Sequence, residues 1–277
     1  MNIIYEPRGK AGEYSPLAAN IYSGCDHMCK YCYVKAMPYQ KTVADDANPV
    51  PRKGLLAALE KDLKRNRIND QLFLCFTGDP YCRADVEHKT TRRVLELLLA
   101  YQVPTAILTK AGTRCLRDLD LFKRFEVLKV GATLTFTEEK DSRFWEPNAA
   151  PPADRLEALV QLHEAGVMTW ASLEPVIDPG QTLEIIRDAH PFVDQFKLGK
   201  LNHHPLKDEI NWRRFGLEAV TLLRDTGRPF YVKKDLQKFV PGLTAVESDM
   251  AALFLKRQSA GRGSRGSRAG EVQAELF

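Results

Sequence analysis

"SGCDHMCKYCYV", residues 23–34, sets three cysteines inside eight positions, spaced C-x3-C and then C-x2-C. Thiols this close on one loop point to a metal centre, and the spacing bears on which metal. Structural zinc sites pair their ligands as two short loops of C-x2–4-C type. Here one group of three stands with His27 as a candidate fourth ligand, and no second pair follows. Three thiolates suit three corners of a cuboidal iron–sulfur cluster, which normally takes four. The missing ligand leaves one iron open, as in catalytic rather than structural metal sites. With six cysteines in no evenly spread framework, the chain reads as a protein of a reducing compartment.

Outward from this loop, strand-like and helix-like stretches alternate. "ANIYSG" (19–24) leads in as a first strand; "QLFLCFTG" (71–78), "VPTAILT" (103–109), "VLKVGATLTF" (127–136), "VMTWASLEP" (167–175) and "VDQFKLGKL" (193–201) follow as buried strands. Between them lie apolar faces at helical spacing: Leu55, Leu56, Leu59 and Leu63; Val94, Leu95, Leu98 and Leu99; Leu156, Leu159 and Val160. Gly166 is a helix stop after the last. About six β-then-α units imply an α/β chain with parallel strands and right-handed crossovers, either a partial barrel or an open doubly wound sheet. Both bind ligands at the C-terminal ends of their strands. The polar turns "TGDPY", "TKAG", "TFTEE", "LEPVIDP" and "GKLNHH" all fall there.

At 277 residues, with 44% hydrophobic and 27% charged content, the chain can bury a full core. No apolar run approaches the roughly 20 residues of a membrane helix. "MNIIYEPRGK" lacks a signal-peptide layout, so a cytoplasmic protein with no membrane partner is expected. Residues 256–270, "KRQSAGRGSRGSRAG", hold five positive charges and no acid within a net charge of +4. Such a stretch buries too little apolar surface to fold; it is either a cationic arm for phosphate backbones or a solubilising tail. The expected division is an N-terminal extension (1–16), a core (17–235), a segment packing on the core (236–255) and a disordered basic tail (256–277).

The cysteine loop, with Tyr31 just before its last cysteine, resembles the signature of the radical S-adenosylmethionine (SAM) superfamily, and the resemblance covers roughly residues 17–235. It implies a partial (β/α)6 barrel of TIM type and a [4Fe–4S] cluster on Cys25, Cys29 and Cys32. It also implies SAM chelated at the open iron, a reductase such as flavodoxin or ferredoxin, and a 5′-deoxyadenosyl radical that abstracts hydrogen. "CKYCYV", "CFTGDPY" and "ILTK" are together similar to the spore photoproduct lyase branch, which repairs a thymine–thymine adduct in DNA. That branch carries a hydrogen-return thiol two residues before a SAM-contacting hydroxyl. Cys75 stands two before Thr77 and 43 residues after Cys32, and Tyr33 matches a tyrosine directly following the last cluster cysteine.

The resemblance places Thr77, Gly78 and Asp79 at the methionine ammonium and Lys110 at the SAM carboxylate, although "GDP" is also a common turn. Tyr31 packs near the adenine or cluster, or as an ordinary core tyrosine. Thr133 and Thr135 alternate onto one face of the fourth strand, toward the ribose or into strand packing. Glu174, a charge ending an apolar strand, needs a partner when buried and is expected at the ribose or substrate. Lys200 and Asn202 end the sixth strand and face the substrate, and Cys82 is a second thiol on the same rim. Cys115 reads as helix packing, and His203 and His204 as loop residues. The function implied is hydrogen abstraction from a thymine-type base in DNA by a monomeric enzyme, either a lesion lyase or an isomerase of an amino-acid-modified thymine. The alternatives are a radical SAM enzyme acting on a peptide, protein or tRNA, and a non-catalytic metal-binding module on nucleic acid.

Overall fold

The computed structural model describes residues 3–36 and 47–257. Seven strands form one curled, wholly parallel sheet, a half-barrel: β1 (Leu17–Ala19), β4 (Leu72–Leu74), β5 (Thr105–Thr109), β6 (Leu128–Thr133), β7 (Met168–Val176), β8 (Gln195–Lys200) and β9 (Phe230–Val232), in that order. Two short strands outside it, β2 (Tyr22–Ser23) and β3 (Val50–Pro51), pair antiparallel. The helices that join the parallel strands cover the outer face. Among them Leu55–Arg65, Thr90–Ala100 and Pro152–Glu164 carry the expected apolar stripes. The last ends where Gly166 adopts φ of +77°. No helix among the described residues is long and apolar enough to cross a membrane.

The strands expected at 71–78 and 127–136 end early, at Leu74 and Thr133, the former where Cys75 adopts φ of 69°, and two further strands depart more from the sequence reading. The first strand ends at Ala19 instead of running through 24, because the Asn20 side chain takes over. Its Oδ1 accepts from the amides of Phe76 (2.8 Å) and Thr77 (3.1 Å), so the chain turns out of the sheet toward the cysteine loop. The seventh strand, β9, has three residues between a proline-ended turn and a lysine pair, too few to show a period.

Alternation along the strands divides the core. Leu72, Leu74 and Ile107 join a large outer cluster beneath the helices. Phe73, Ala106 and Trp170 face inward with Tyr5, Tyr14, Phe76 and Leu108. On β7 the inward residues run Trp170, Ser172, Glu174, from apolar at the middle to charged at the C-terminal end. The N-terminal segment crosses the open side of the half-barrel. Tyr5 bridges Ala18 on β1, and the Glu13 carboxylate accepts from the Tyr231 hydroxyl of β9 (2.7 Å) and the Lys234 amide (2.9 Å).

Residues 236–255 return to the sheet, where the Lys129 ammonium donates to the Leu253 carbonyl (2.7 Å) and to Gln195 (3.1 Å). Of the expected tail, Lys256 and Arg257 pair with Asp70 and Asn69, and residues 258–277 lie outside the described residues. Burial of Lys129 lowers its pKa from 10.5 to about 7. The unfolded chain therefore holds more protons than the folded one between those values, and folding stability rises with pH across that window. Lys129→Met is expected to flatten this rise in the difference between the two proteins' urea-unfolding free energies, followed from about pH 7 to 10.

Candidate active site

The cysteine loop sits on the C-terminal end of β4, and a close backbone approach makes this possible. A Cβ added to Gly78 would lie 2.8 Å from the Gly24 carbonyl oxygen, so no side chain fits between the two segments. Cys29 is buried, while Cys25 and Cys32 are partly exposed. The thiols lie near enough that charge on Cys29 or Cys32 would raise the pKa of Cys25. Burial pushes the Cys29 thiol up to about 12, with the Lys110 ammonium opposing, and pushes Cys25 up as well. Thiolates here need a bound cation. Among the described residues no three His, Cys, Asp or Glu side chains converge as ligands of one ion. Ligands on separate corners of a cuboid need no such convergence. The His27 ring lies between Asp79 (3.6 Å) and Asp26 (3.8 Å).

Asp79 ties the rim together. Its carboxylate accepts from the Tyr81 amide (2.8 Å), the Thr109 hydroxyl (2.7 Å) and the Lys110 amide (2.8 Å), joining the ends of β4 and β5. Beside it the Thr77 hydroxyl is buried with no hydrogen-bond partner. The Lys110 ammonium lies 5.6 Å from the centroid of the Tyr31 ring.

A clasp that the sequence reading missed holds the loop from the other side. The helix Glu139–Trp145 and the residues after it reach the loop's backbone: the Lys30 amide donates to the Trp145 carbonyl (2.9 Å) and Asn148 Nδ2 to the Asp26 carbonyl (2.8 Å). The Tyr31 hydroxyl and the Arg155 guanidinium both donate to the buried Glu146 carboxylate, and Thr135 Oγ1 lies 3.4 Å from it. Burial raises the Glu146 pKa, and Arg155 opposes the rise. Arg155 also donates to the carbonyls of Thr133 (3.0 Å) and Ala150 (2.8 Å). One signal was visible in the sequence: Arg155 falls on the same helical face as Ala158, Leu159 and Leu162.

The expected thiols sit apart from the inner face. Cys75 (φ 69°) lies in the outer apolar cluster, its Sγ accepting from the Ile21 amide at 3.4 Å, and burial pushes the thiol up to about 12. Cys82, expected on the rim, is fully buried in the same cluster at the N-cap position of the helix Arg83–His88, where its side chain makes no capping hydrogen bond; it packs and offers no thiol to the rim. Cys115 is buried there too. The Tyr33 ring is partly exposed, and its hydroxyl donates to the Phe76 carbonyl (2.6 Å). Glu174 meets Lys233 and Tyr14. Asn202 donates to Asp235 (2.9 Å) and accepts from Lys10 (2.6 Å), and the Lys200 ammonium lies 5.0 Å from the Trp212 ring. His203 and His204 occupy the loop after β8, where His204 packs edge-on against Trp145.

Three comparisons bear on this arrangement. The model of the Radical SAM superfamily matches residues 19–192. An uncharacterised protein of Methanocaldococcus jannaschii is 30% identical over 184 residues, covering 66% of this chain and 69% of that protein. In structure, SuiB of Streptococcus suis bound to S-adenosylmethionine superposes with a TM-score of 0.60 at 15% identity, over 82% of this chain and 52% of that one. Spore photoproduct lyase complexed with dinucleoside spore photoproduct gives 0.61 at 13% identity, over 82% and 78%. The chain thus spans about half of SuiB.

The Glu146–Arg155 pair is buried almost completely. Arg155→Leu leaves the carboxylate without its counter-charge and is expected to cost about 3–5 kcal/mol, read by urea unfolding. Adding Glu146→Leu in the same chain should recover most of that loss.

Proposed function

Since the chain belongs to the radical SAM superfamily, we propose that it abstracts hydrogen from a thymine-type base in DNA, as a lesion lyase or as an isomerase of a modified thymine. The superfamily works with a [4Fe–4S] cluster, SAM and an external electron donor. When bound, the cluster supplies the electron that divides SAM into methionine and a 5′-deoxyadenosyl radical.

The residues fit these groups. Cys25, Cys29 and Cys32 would hold three irons and leave the fourth for SAM. The unpartnered Thr77 hydroxyl, the close-packed Gly78 and the Lys110 ammonium offer contacts for the amino-acid end of SAM. Asp79, engaged by three donors, would act by positioning Lys110 and the β4 turn rather than by direct contact. Tyr31 and Thr135 meet at Glu146, and Arg155, which pairs with Glu146, also holds the Thr133 carbonyl at the end of β6, so this wall would border the nucleoside. The Cys75 thiol, with its pKa pushed up to about 12, keeps its hydrogen at neutral pH, but from the outer cluster it would reach a base in the barrel only through an intermediary. Tyr33, anchored on the carbonyl next to Cys75, would relay that hydrogen.

The observation that carries the DNA reading is the charge at the barrel mouth. Around Lys200, at the end of β8, stand Lys10, Lys207 and Lys238; Lys10 is paired with Asp235 (2.8 Å) and Lys207 with Asp208 (2.8 Å), so the excess positive charge of the group rests on Lys200 and Lys238. A cluster of this sign at the mouth suits a polyanion whose base enters the barrel. Changing Lys200, Lys207 and Lys238 together to alanine is expected to weaken binding of single-stranded DNA. The slope of log affinity against log salt should shrink by about 2. An unchanged slope would remove the phosphate role from this rim.

Anaerobic reconstitution with iron and sulfide tests the chemistry. About four irons per chain and 5′-deoxyadenosine are expected on reduction with SAM, and alanine at Cys25, Cys29 or Cys32 should abolish both. Cys75→Ala should keep the cluster and SAM cleavage but stall or divert turnover of a thymine-containing oligonucleotide, with Cys115→Ala as the silent control. Normal product from Cys75→Ala would assign the thiol to packing.

A further inference from the structure

Glu174 is expected near a ligand, and the structure surrounds it with a site that neither the superfamily match nor the rim explains. Four segments build it at the C-terminal end of the inner face. The Lys233 ammonium, just past β9, donates to both Glu174 oxygens (2.9 and 2.7 Å). The Tyr14 hydroxyl, from the N-terminal segment, donates to Oε2 (2.5 Å) and lies 3.0 Å from Ser172 Oγ. Gly199 on β8 makes room, since a Cβ there would lie 2.8 Å from Glu174 Cδ and 2.9 Å from Lys233 Cδ.

The arrangement leaves one part of the carboxylate unspent. A carboxylate offers about four acceptor positions, and these partners fill two on Oε2 and one on Oε1. The Glu174 side chain is 14% exposed, whereas Lys233 is 2% exposed. The exposed part of the pair is therefore on the Glu174 side chain. Next to it is an aromatic wall: Phe76 is partly exposed, stacked on Phe73 at 4.5 Å, with Tyr14 edge-on to it at 5.9 Å. Tyr14 touches both Phe76 and Glu174, so a ring set against Phe76 would lie on the same part of the inner face as the carboxylate. Burial raises the Tyr14 pKa, which keeps its hydroxyl a donor to Glu174.

We propose that Glu174, aimed by Lys233 and Tyr14, accepts the ring N–H of a base stacked on Phe76, the N3–H of a thymine-type imide. This rests on the DNA reading above and deepens it by naming the edge that is recognised. The lysine rim holds phosphates outside, the base enters, as in enzymes that take a base out of its stack, and one carboxylate checks for a hydrogen that N3-substituted bases lack. Lys233 and Tyr14 are positioning residues; Glu174 touches the substrate.

The test compares two single-stranded oligonucleotides, alike except that one thymine carries a methyl group on N3. They bind to reconstituted holoenzyme with SAM, without reductant. The native protein is expected to bind the unmethylated strand at least about tenfold more tightly, the worth of a hydrogen bond to a charged group. Glu174→Leu with Lys233→Met replaces the ion pair by apolar groups of similar size, a change that preserves folds; its unfolding midpoint is the check. In that variant the two strands should bind alike. A purely steric effect of the methyl group would persist in the double variant and overturn the assignment, as would equal binding by the native protein. If the native protein binds both strands alike yet forms 5′-deoxyadenosine in a thymine-dependent way, only this inference fails. If it neither binds DNA nor responds to thymine, the DNA reading fails with it.

Discussion

A single buried carboxylate organises the mouth of the barrel. Asp79 accepts from the Tyr81 and Lys110 amides and from the Thr109 hydroxyl, so the turn after β4 and the end of β5 are fixed to the same two oxygen atoms. The Gly78–Gly24 contact then sets the cysteine loop on that turn. A charge removed from water is tolerated only when hydrogen-bonded, and here the satisfying donors are the rim backbone itself. The position of Lys110 and the seat of the three thiols follow from it.

The interior on the far side is unusual for a parallel barrel, where branched apolar side chains normally fill the centre. Lys197, Lys233, Glu13 and Glu174 share it with tyrosines. Lys197 lies 3.8 Å from the Tyr14 ring centroid and donates to the Glu13 carbonyl; burial and the neighbouring lysines hold its pKa well down. Apolar residues of similar volume would fold as well or better. Lys129 and Lys197 lie beside the Trp170 ring, 5.5 and 5.8 Å from its centroid, and the Lys233–Glu174 pair forms the layer nearer the C-terminal ends of the strands.

Much of this was legible in residue patterns, and the limits have physical causes. The spacing of Cys25, Cys29 and Cys32 and the periodic runs on five of the parallel strands are local features, so they survive in a single sequence. Asp79 was read as a ligand because its position matches a family motif, but two of its three hydrogen-bond partners are 30 and 31 residues away, at Thr109 and Lys110, and carry no local mark. Cys82 was placed on the rim by adjacency to "TGDPY"; the helix that starts at Arg83 turns it into the outer core. Glu146 and Asn148 lie in a loop whose composition looks like any turn, and only their contacts with Tyr31 and Asp26 give them meaning. The strand Phe230–Val232 is too short for periodicity to register.

The N-terminal crossing has a consequence for biosynthesis. Glu13 leaves the ribosome early, yet its partner Tyr231 lies 218 positions later in the chain. Contacts of such separation form late, after the loop-closure entropy of the intervening chain has been overcome. Until β9 emerges, Glu13 lacks its Tyr231 and Lys234 partners, Glu174 lacks the Lys233 ammonium and the half-barrel has no last strand. The cysteine loop, by contrast, is complete once β4 and the Glu146 clasp have been made. During synthesis the metal-binding part of the protein can therefore mature before the N-terminal crossing is fastened to β9, which separates in time the loading of the cluster from the closing of the barrel's open side.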